Sequence, residues 1–178
     1  MDTDSQPLSR QQLLETLTDL DIVHTTHDHP PIFTVQEGAA IKAALPGGHT
    51  KNLFLKDKTG ALFLICALGD TIVPINKLHK RLGCKRLSFG KAELLYTQLG
   101  VRPGSVTFFS IINDHNNKVT LILDEALFSH ALVNFHPMEN TATTAIASKD
   151  LLTFAQHTHH TAVKVDFKAL QDATNSPS

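Results

Sequence analysis

Tryptophan does not occur in this 178-residue chain, tyrosine occurs once and cysteine twice. Two cysteines with no metal spacing exclude a disulfide scaffold and a cysteine-based zinc module. Cys66 lies inside the apolar run LFLICAL and reads as a small buried hydrophobe. Cys84 stands between Gly83 and Lys85, basic surroundings able to lower a thiol pKa, and no reactive role is expected of it. No apolar run approaches the ~18 residues of a spanning helix, so no membrane partner is expected. The segment from Met1 to Arg10 is polar and acidic, unlike a secretory signal, and a cytoplasmic location is expected. The G-x-S-x-G elbow, the H-E-x-x-H zinc helix, the Walker loop and G-x-G-x-x-G are all missing, which removes the commonest hydrolase, metalloprotease and nucleotide signatures. One local absence stands out. Between Asp70 and Glu93 there is no acidic residue, while Lys77, Lys80, Arg81, Lys85, Arg86 and Lys91 fall in that interval. On a chain of net charge -1, such a cluster points to a local anionic partner; its alternative is a solvated helix face followed by a basic loop.

What is present is ordinary in bulk, with 42% hydrophobic and 19% charged residues, enough for one domain with its own core. Ser9 caps an expected helix carrying Leu13, Leu14, Leu17 and Leu20 at helical spacing. Ile22 to Thr26 reads as a strand, and His29-Pro30-Pro31 interrupts it. Thr34-x-x-Glu37 opens a helix to about Ala44. Lys51 to Lys56 and Ala61 to Leu68 form an expected hairpin around the turn residues 57–60. Pro74 opens a helix ended by Gly83, and a further helix from Lys91 stops at Gly100. Ser105 to Ile112 and Val119 to Leu123 are expected as a second hairpin. Ala126 to His130 reads as a helical turn, Leu132 to Phe135 as a strand and Thr141 to Ala147 as β-prone. Ser148 is expected to cap a helix through Gln156, and Val163 to Phe167 to form a last strand. The expected architecture is α+β: a single domain over residues 1–170, built on a mixed, mostly antiparallel, barrel-like sheet with surrounding helices, and a flexible C-terminal tail over residues 171–178.

Three segments carry candidate chemistry. In GGHTKNLFLKD, residues 47–57, the glycine pair allows positive φ and close approach, and Lys51 places a fixed charge beside it, a place to look for phosphate or carboxylate. Asn134-Phe135-His136-Pro137 holds an imidazole in extended backbone before a proline. Pro103-Gly104-Ser105 is a turn able to present backbone N–H groups to an oxyanion or ester carbonyl. The histidine clusters, His24, His27 and His29, and His157, His159 and His160, come with no cysteine or carboxylate pattern, and no metal or other cofactor is expected.

Taken together, HPPIFTV at 29–35, GGHTKNLFLKDKTG at 47–60, LGVRPGSVT at 99–107 with Ile112-Asn113-Asp114, and Val133 to Pro137 with Asn140 and Thr141 resemble the YbaK/ProX superfamily of trans-editing aminoacyl-tRNA deacylases, and more closely its ProXp-ala (PrdX) group. Leu151 to Phe154 resembles the family's closing helix. The resemblance implies a YbaK-like fold and a freestanding hydrolase acting on the aminoacyl-tRNA ester bond, removing alanine mischarged onto proline tRNA to maintain translation fidelity. Its implied partners are the acceptor end of that tRNA and prolyl-tRNA synthetase. Carried over by residue, Lys51 would bind the terminal adenosine or its phosphate, Asn52 and Thr50 would position that end, the Gly104 and Ser105 backbone would face the ester, and His136 would shape the aminoacyl pocket. Ile32, Phe33, Phe108 and Val133 are its expected walls, and Lys77, Lys80, Arg81, Lys85 and Arg86 the tRNA-binding surface. Phe108 stands where the family commonly has a loop proline, which implies a changed pocket and keeps cysteine and serine beside alanine as amino acids to be removed. A noncatalytic tRNA- or synthetase-binding module is the alternative of a different class.

Overall fold

The computed structural model describes residues 6–32 and 34–175. Its organising element is the expected hairpin of β2 (Gly48–Asp57) and β3 (Leu62–Leu68). The Asp57 carboxylate closes the turn: it accepts from the Thr59 and Ala61 N–H groups at 2.8 and 2.9 Å, and from the Lys85 N–H at 3.0 Å. Every residue of β3 is buried. This explains its unbroken apolar run, because a central strand covered on both faces has no polar side to alternate with.

On one side of β3 lies β5 (Val119–Asp124), parallel to it, followed by the parallel β8 (Val163–Val165). On the other side, β2 is long enough to share one edge between two partners. Its first residues pair in parallel with β6 (Leu132–Phe135), and its last pair antiparallel with β4 (Leu87–Phe89). Beyond β6 come β7 (Ala142–Ala147) and β1 (His24–Asp28), each antiparallel to its neighbour. The result is one eight-stranded mixed sheet, mostly antiparallel, with helices around it, as expected from the sequence.

Alternation along β2 and β3 divides the core in two. Phe54, Leu64 and Cys66 face a large cluster with Leu13 and Leu17 of α1 (Arg10–Asp19), Leu95 and Leu99 of α4 (Ala92–Leu99), and Leu151 and Phe154 of α5 (Asp150–His157). Leu55, Phe63 and Ile65 face a smaller cluster with Leu78 of α3 (Ile75–Leu82) and Phe167 of α6 (Phe167–Asn175). The caps follow the sequence at most ends. Ser9 and Gln12 form a capping box on α1, Thr34 accepts from the Glu37 N–H at the start of α2 (Val35–Ala44), and Gly83 and Gly100 end α3 and α4 in left-handed conformation.

Three expectations are corrected. The segment before β5 is no strand: Phe108–Asn113 is a 3-10 helix capped by Thr107, and β5 pairs with β3 and β8 instead. Phe108, Phe109, Ser110 and Ile111 are all buried, which a strand with one solvent face does not achieve. The reversal into β5 is built by Asp114, whose carboxylate accepts from the Lys118 and Val119 N–H groups. Ser148 does not cap α5; its hydroxyl donates to the His130 carbonyl at 2.6 Å. The segment expected as a tail begins inside α6, which runs to Asn175, with Leu170 packed against the smaller cluster. Burial and the nearby Asp57 charge hold the Cys84 thiol above its ordinary pKa, so its basic neighbours do not activate it.

Candidate active site

The parallel junction of β2 and β6 builds the site. Gly47 has φ +97°, and a Cβ there would stand 2.7 Å from the Leu132 carbonyl oxygen. A Cβ on Gly48 would meet Leu68 at 2.9 Å and His130 at 3.0 Å. The glycine pair thus serves close packing of one strand on another, a different use from the anion-holding turn suggested by the sequence. Asn134 then fixes the loop, its Nδ2 donating to the carbonyls of Pro46 at 3.0 Å and Gly48 at 3.2 Å. The Thr50 hydroxyl donates to the Asn134 carbonyl at 2.6 Å. His49 Nε2 lies 3.1 Å from the Leu45 carbonyl, so this nitrogen carries the proton.

Beside this junction lies a cavity of about 90 Å³, lined by Thr50 and Asn52 of β2, Asn134 and Phe135 of β6, His136, Thr143 of β7, Ile32, and Gly38, Ile41 and Lys42 of α2, with His49 at its edge. Two polar atoms are poised in it. Asn52 Oδ1 is buried with no hydrogen-bond partner among the described residues, while its Nδ2 reaches Thr50 Oγ1 only at 3.5 Å. A buried acceptor left open carries the full cost of its lost hydration, so its position invites a donor from a ligand. His136 Nδ1 lies 3.0 Å from the Ala142 carbonyl, which can only accept. The ring therefore holds its proton on Nδ1 and keeps Nε2 as an acceptor. Burial pushes the imidazole pKa below its ordinary value; the Ala142 hydrogen bond opposes this and neighbouring His29 adds to it. The His29 ring stands 6.4 Å away and is anchored by the Pro30 carbonyl and the Thr143 hydroxyl.

Of the residues expected from the sequence, Ile32, Thr50, Asn52 and His136 come together here. Phe33 lies outside the described residues. Lys51 is on the other face of β2 from Thr50 and Asn52, and its ammonium donates to the Thr71 carbonyl. The Thr71 hydroxyl in turn donates to the buried Asp124 carboxylate at 2.6 Å. Two expected walls are corrected. Phe108 is fully buried, ringed by Phe109, Phe135 and Phe154 at centroid distances of 5.7, 5.3 and 5.3 Å. Val133 is likewise fully buried in the core and is not among the residues that line the cavity. The turn at Gly104 (φ +91°) uses the Ser105 N–H internally, donating to the Arg102 carbonyl at 2.9 Å, and lies against Asn140 outside the cavity.

Lys77, Lys80, Arg81, Lys85 and Arg86 are all exposed, and among the described residues none pairs with a carboxylate. Lys42 was not anticipated. It lines the cavity, its Nζ 3.7 Å from where a Cβ on Gly69 would sit. Its signal was the spacing of Gly38, Ile41 and Lys42, three residues on one helical face. Among the described residues no group of three or more histidine, cysteine or acidic side chains is arranged to hold a metal, and no helix is long and apolar enough to cross a membrane.

The chain is 40% identical over 160 residues to the prolyl-tRNA synthetase associated domain-containing protein 1 of Danio rerio, covering 89% of this chain and 87% of that one. It is 30% identical over 144 residues to the prolyl-tRNA editing protein ProX of Acetoanaerobium sticklandii, covering 80% and 88%. A crystal structure of a candidate trans-editing enzyme for prolyl tRNA synthetase superposes with a TM-score of 0.66 at 20% identity, over 89% of this chain and 98% of that one, and shares its fold. Residues 29–154 match the family model of the aminoacyl-tRNA editing domain, and on that span the chain belongs to this family, the YbaK/ProX-like editing domains.

Proposed function

We propose that this chain is an aminoacyl-tRNA deacylase that hydrolyses alanine from mischarged tRNA(Pro), working in the cytoplasm beside prolyl-tRNA synthetase. The observation that carries this reading is the unpartnered Asn52 Oδ1 on a residue that lines, together with His136, one cavity of about 90 Å³. An α-amino group supplies the missing donor to Asn52. On this reading the small cavity admits the methyl of alanine and penalises the extra ring methylenes of proline. A misfit of one methylene is worth ~1–3 kcal/mol, or about 10–200-fold, and a small pocket applies that penalty against the correct product.

In the reaction, water adds to the ester carbonyl carbon, the bond from that carbon to the ribose oxygen breaks, and the ribose oxygen takes a proton. Free alanine and a tRNA with an intact terminal ribose leave. A neutral His136 offers Nε2 as the acceptor that orients the attacking water. Holding the ester, amine and water together supplies much of the acceleration without a protein nucleophile. Lys42 at the cavity and Lys51 on the neighbouring face stand where phosphates of the terminal nucleotides approach, and the five exposed cations from Lys77 to Arg86 bind the acceptor end. The names of the ProX and prolyl-tRNA synthetase associated relatives support proline tRNA as the carrier.

The test is deacylation of tRNA(Pro) charged with alanine, proline, serine or cysteine, by the native chain and by Asn52→Ala and His136→Ala. Selective loss of alanine, reduced at least tenfold in both variants, is expected. Selective loss of serine or cysteine would overturn the amino-acid assignment and keep the chemistry. No hydrolysis of any of the four would overturn the enzyme reading in favour of a binding module.

A further inference from the structure

A second concavity lies on the opposite face of the sheet, between α3, β4 and α6. Its volume is about 600 Å³, and Ile72, Pro74, Lys77, Leu87 and Phe89 are among its walls. Two of these are unusual on a surface. Phe89 is 60% exposed and Ile72 60% exposed, although β4 pairs Phe89 with the fully buried Leu55. The aromatic ring emerges at the rim of the smaller core cluster, where Leu55 and Leu87 pack beneath it. Lys77 lines the same groove, the exposed Lys85 and Arg86 lead directly into β4, and none of the three pairs with a carboxylate among the described residues, in an interval with no acidic residue from Thr71 to Ala92. An exposed aromatic face among cations that track a backbone is the chemistry that binds single-stranded nucleic acid, since every base has a face to stack and every linkage a charge to meet.

The groove is also connected to the cavity. The loop from Gly69 to Ile72 starts beside Lys42 and the His49 carbonyl, passes Thr71, whose carbonyl holds Lys51, and ends at the groove wall. Three residues of chain span at most about 10 Å. Ile72 at the groove wall therefore lies within about 10 Å of Gly69 beside Lys42, a separation that a strand with its terminal ester in the cavity can cross.

We infer that this groove is a binding site for the unpaired 3′ end of the tRNA, in which Phe89 stacks a nucleobase and Lys77, Lys85 and Arg86 neutralise the phosphates that flank it. The inference rests on the deacylase reading and adds to it a base-stacking site outside the cavity. It separates two tasks by location: the cavity selects the amino acid, and the groove holds the strand.

The experiment measures binding of uncharged tRNA(Pro) by fluorescence anisotropy across a salt series, together with hydrolysis of two substrates, alanyl-tRNA(Pro) and alanyl-adenosine, which has no strand to stack. Phe89→Leu keeps an apolar side chain but removes the π face, and Phe89→Tyr keeps the face. Phe89→Leu is expected to raise Kd roughly tenfold with an unchanged salt slope, and Phe89→Tyr to bind as the native chain does. Lys85→Ala and Arg86→Ala are expected each to lower the slope of log K against log salt by about 0.7. Alanyl-adenosine hydrolysis should be the same in both Phe89 variants as in the native chain. Equal tRNA binding by Phe89→Leu and the native chain would overturn the proposal, and would leave the apolar groove to a protein partner. Loss of alanyl-adenosine hydrolysis in Phe89→Leu would also overturn it, by showing an effect on the cavity. If the native chain hydrolyses neither ester, the deacylase reading fails, while the Phe89 binding result still decides the groove.

Discussion

Replacing Phe108 separates two accounts of this chain. On the sequence, Phe108 takes the place of a loop proline and would set which amino acid the pocket admits. In the structure it has no exposed surface and packs against Phe109, Phe135 and Phe154. Truncating a fully buried phenylalanine to alanine costs ~3–5 kcal/mol. A domain of this length loses about 2–4 °C of Tm per kcal/mol, so Phe108→Ala should melt roughly 6–20 °C lower. With a urea m value of about 2 kcal/mol/M, the midpoint should fall by about 1.5–2.5 M. Phe108→Leu keeps branched apolar bulk and should lose only about 1–2 kcal/mol, which leaves it folded at 25 °C and suitable for kinetics. Its ratio of alanine to serine and cysteine release should match that of the native chain within twofold, because Phe135 stands between residue 108 and the cavity. A tenfold change in that ratio, with an unchanged urea midpoint, would refute the assignment of Phe108 to the core and restore it to the pocket wall.

Other outcomes follow from the same geometry. The hydrogen bond from Thr59, helped by backbone N–H groups and opposed by burial, holds Asp57 at a pKa of about 2. Burial pushes Asp114 up, but hydrogen bonds from His160, Val119 and Lys118 outweigh it and hold that carboxyl below its ordinary 3.8. Both groups have depressed folded pKa values, so their stabilisation is complete above pH 3.8 and is lost as pH falls toward 2; urea midpoints measured across that window should drop, and Asp57→Asn should flatten the curve there. Because His136 has its pKa lowered, its Nε2 stays an acceptor below the ordinary 6.5, and the deacylation rate should reach half its plateau only under pH 6.5; a half-point at or above 6.5 would remove His136 as the water's acceptor. Lys42→Ala should raise KM for the tRNA by about two- to fivefold, the value of one exposed charge contact, and leave kcat in place; a fall in kcat alone would count against a phosphate role.

Much of the fold was legible because its elements obey local rules. The β2–β3 hairpin is announced by two apolar runs around turn residues, and the helix ends by Ser9, Thr34, Gly83 and Gly100. What was not legible depends on long-range pairing. Nothing local tells Val119 to Asp124 to lie parallel between β3 and β8, and the short β4 exists only because the far half of β2 has a free edge. The segment at Phe108 illustrates the same limit. Its β-branched and aromatic residues favour a strand by propensity, yet four consecutive buried side chains are satisfied better by a 3-10 turn against the core.

The candidate site was half legible for a reason that lies in strand geometry. Thr50, Lys51 and Asn52 are consecutive, so a motif places them together, but side chains one apart in a strand point to opposite faces. The cavity receives Thr50 and Asn52, and Lys51 goes to the face that carries Thr71, the groove and Phe89. The late motif is divided as well: Asn134, Phe135 and His136 line the cavity, while Val133 is in the core. The alternation is therefore informative about function. A substrate touched by both Asn52 and Lys51 has to pass over the end of β2, with its ester on one face and its strand on the other. A small free amino ester cannot do that, whereas a nucleic acid end several nucleotides long can. On the proposed deacylase reading, the split of this motif across the sheet fits a macromolecular carrier.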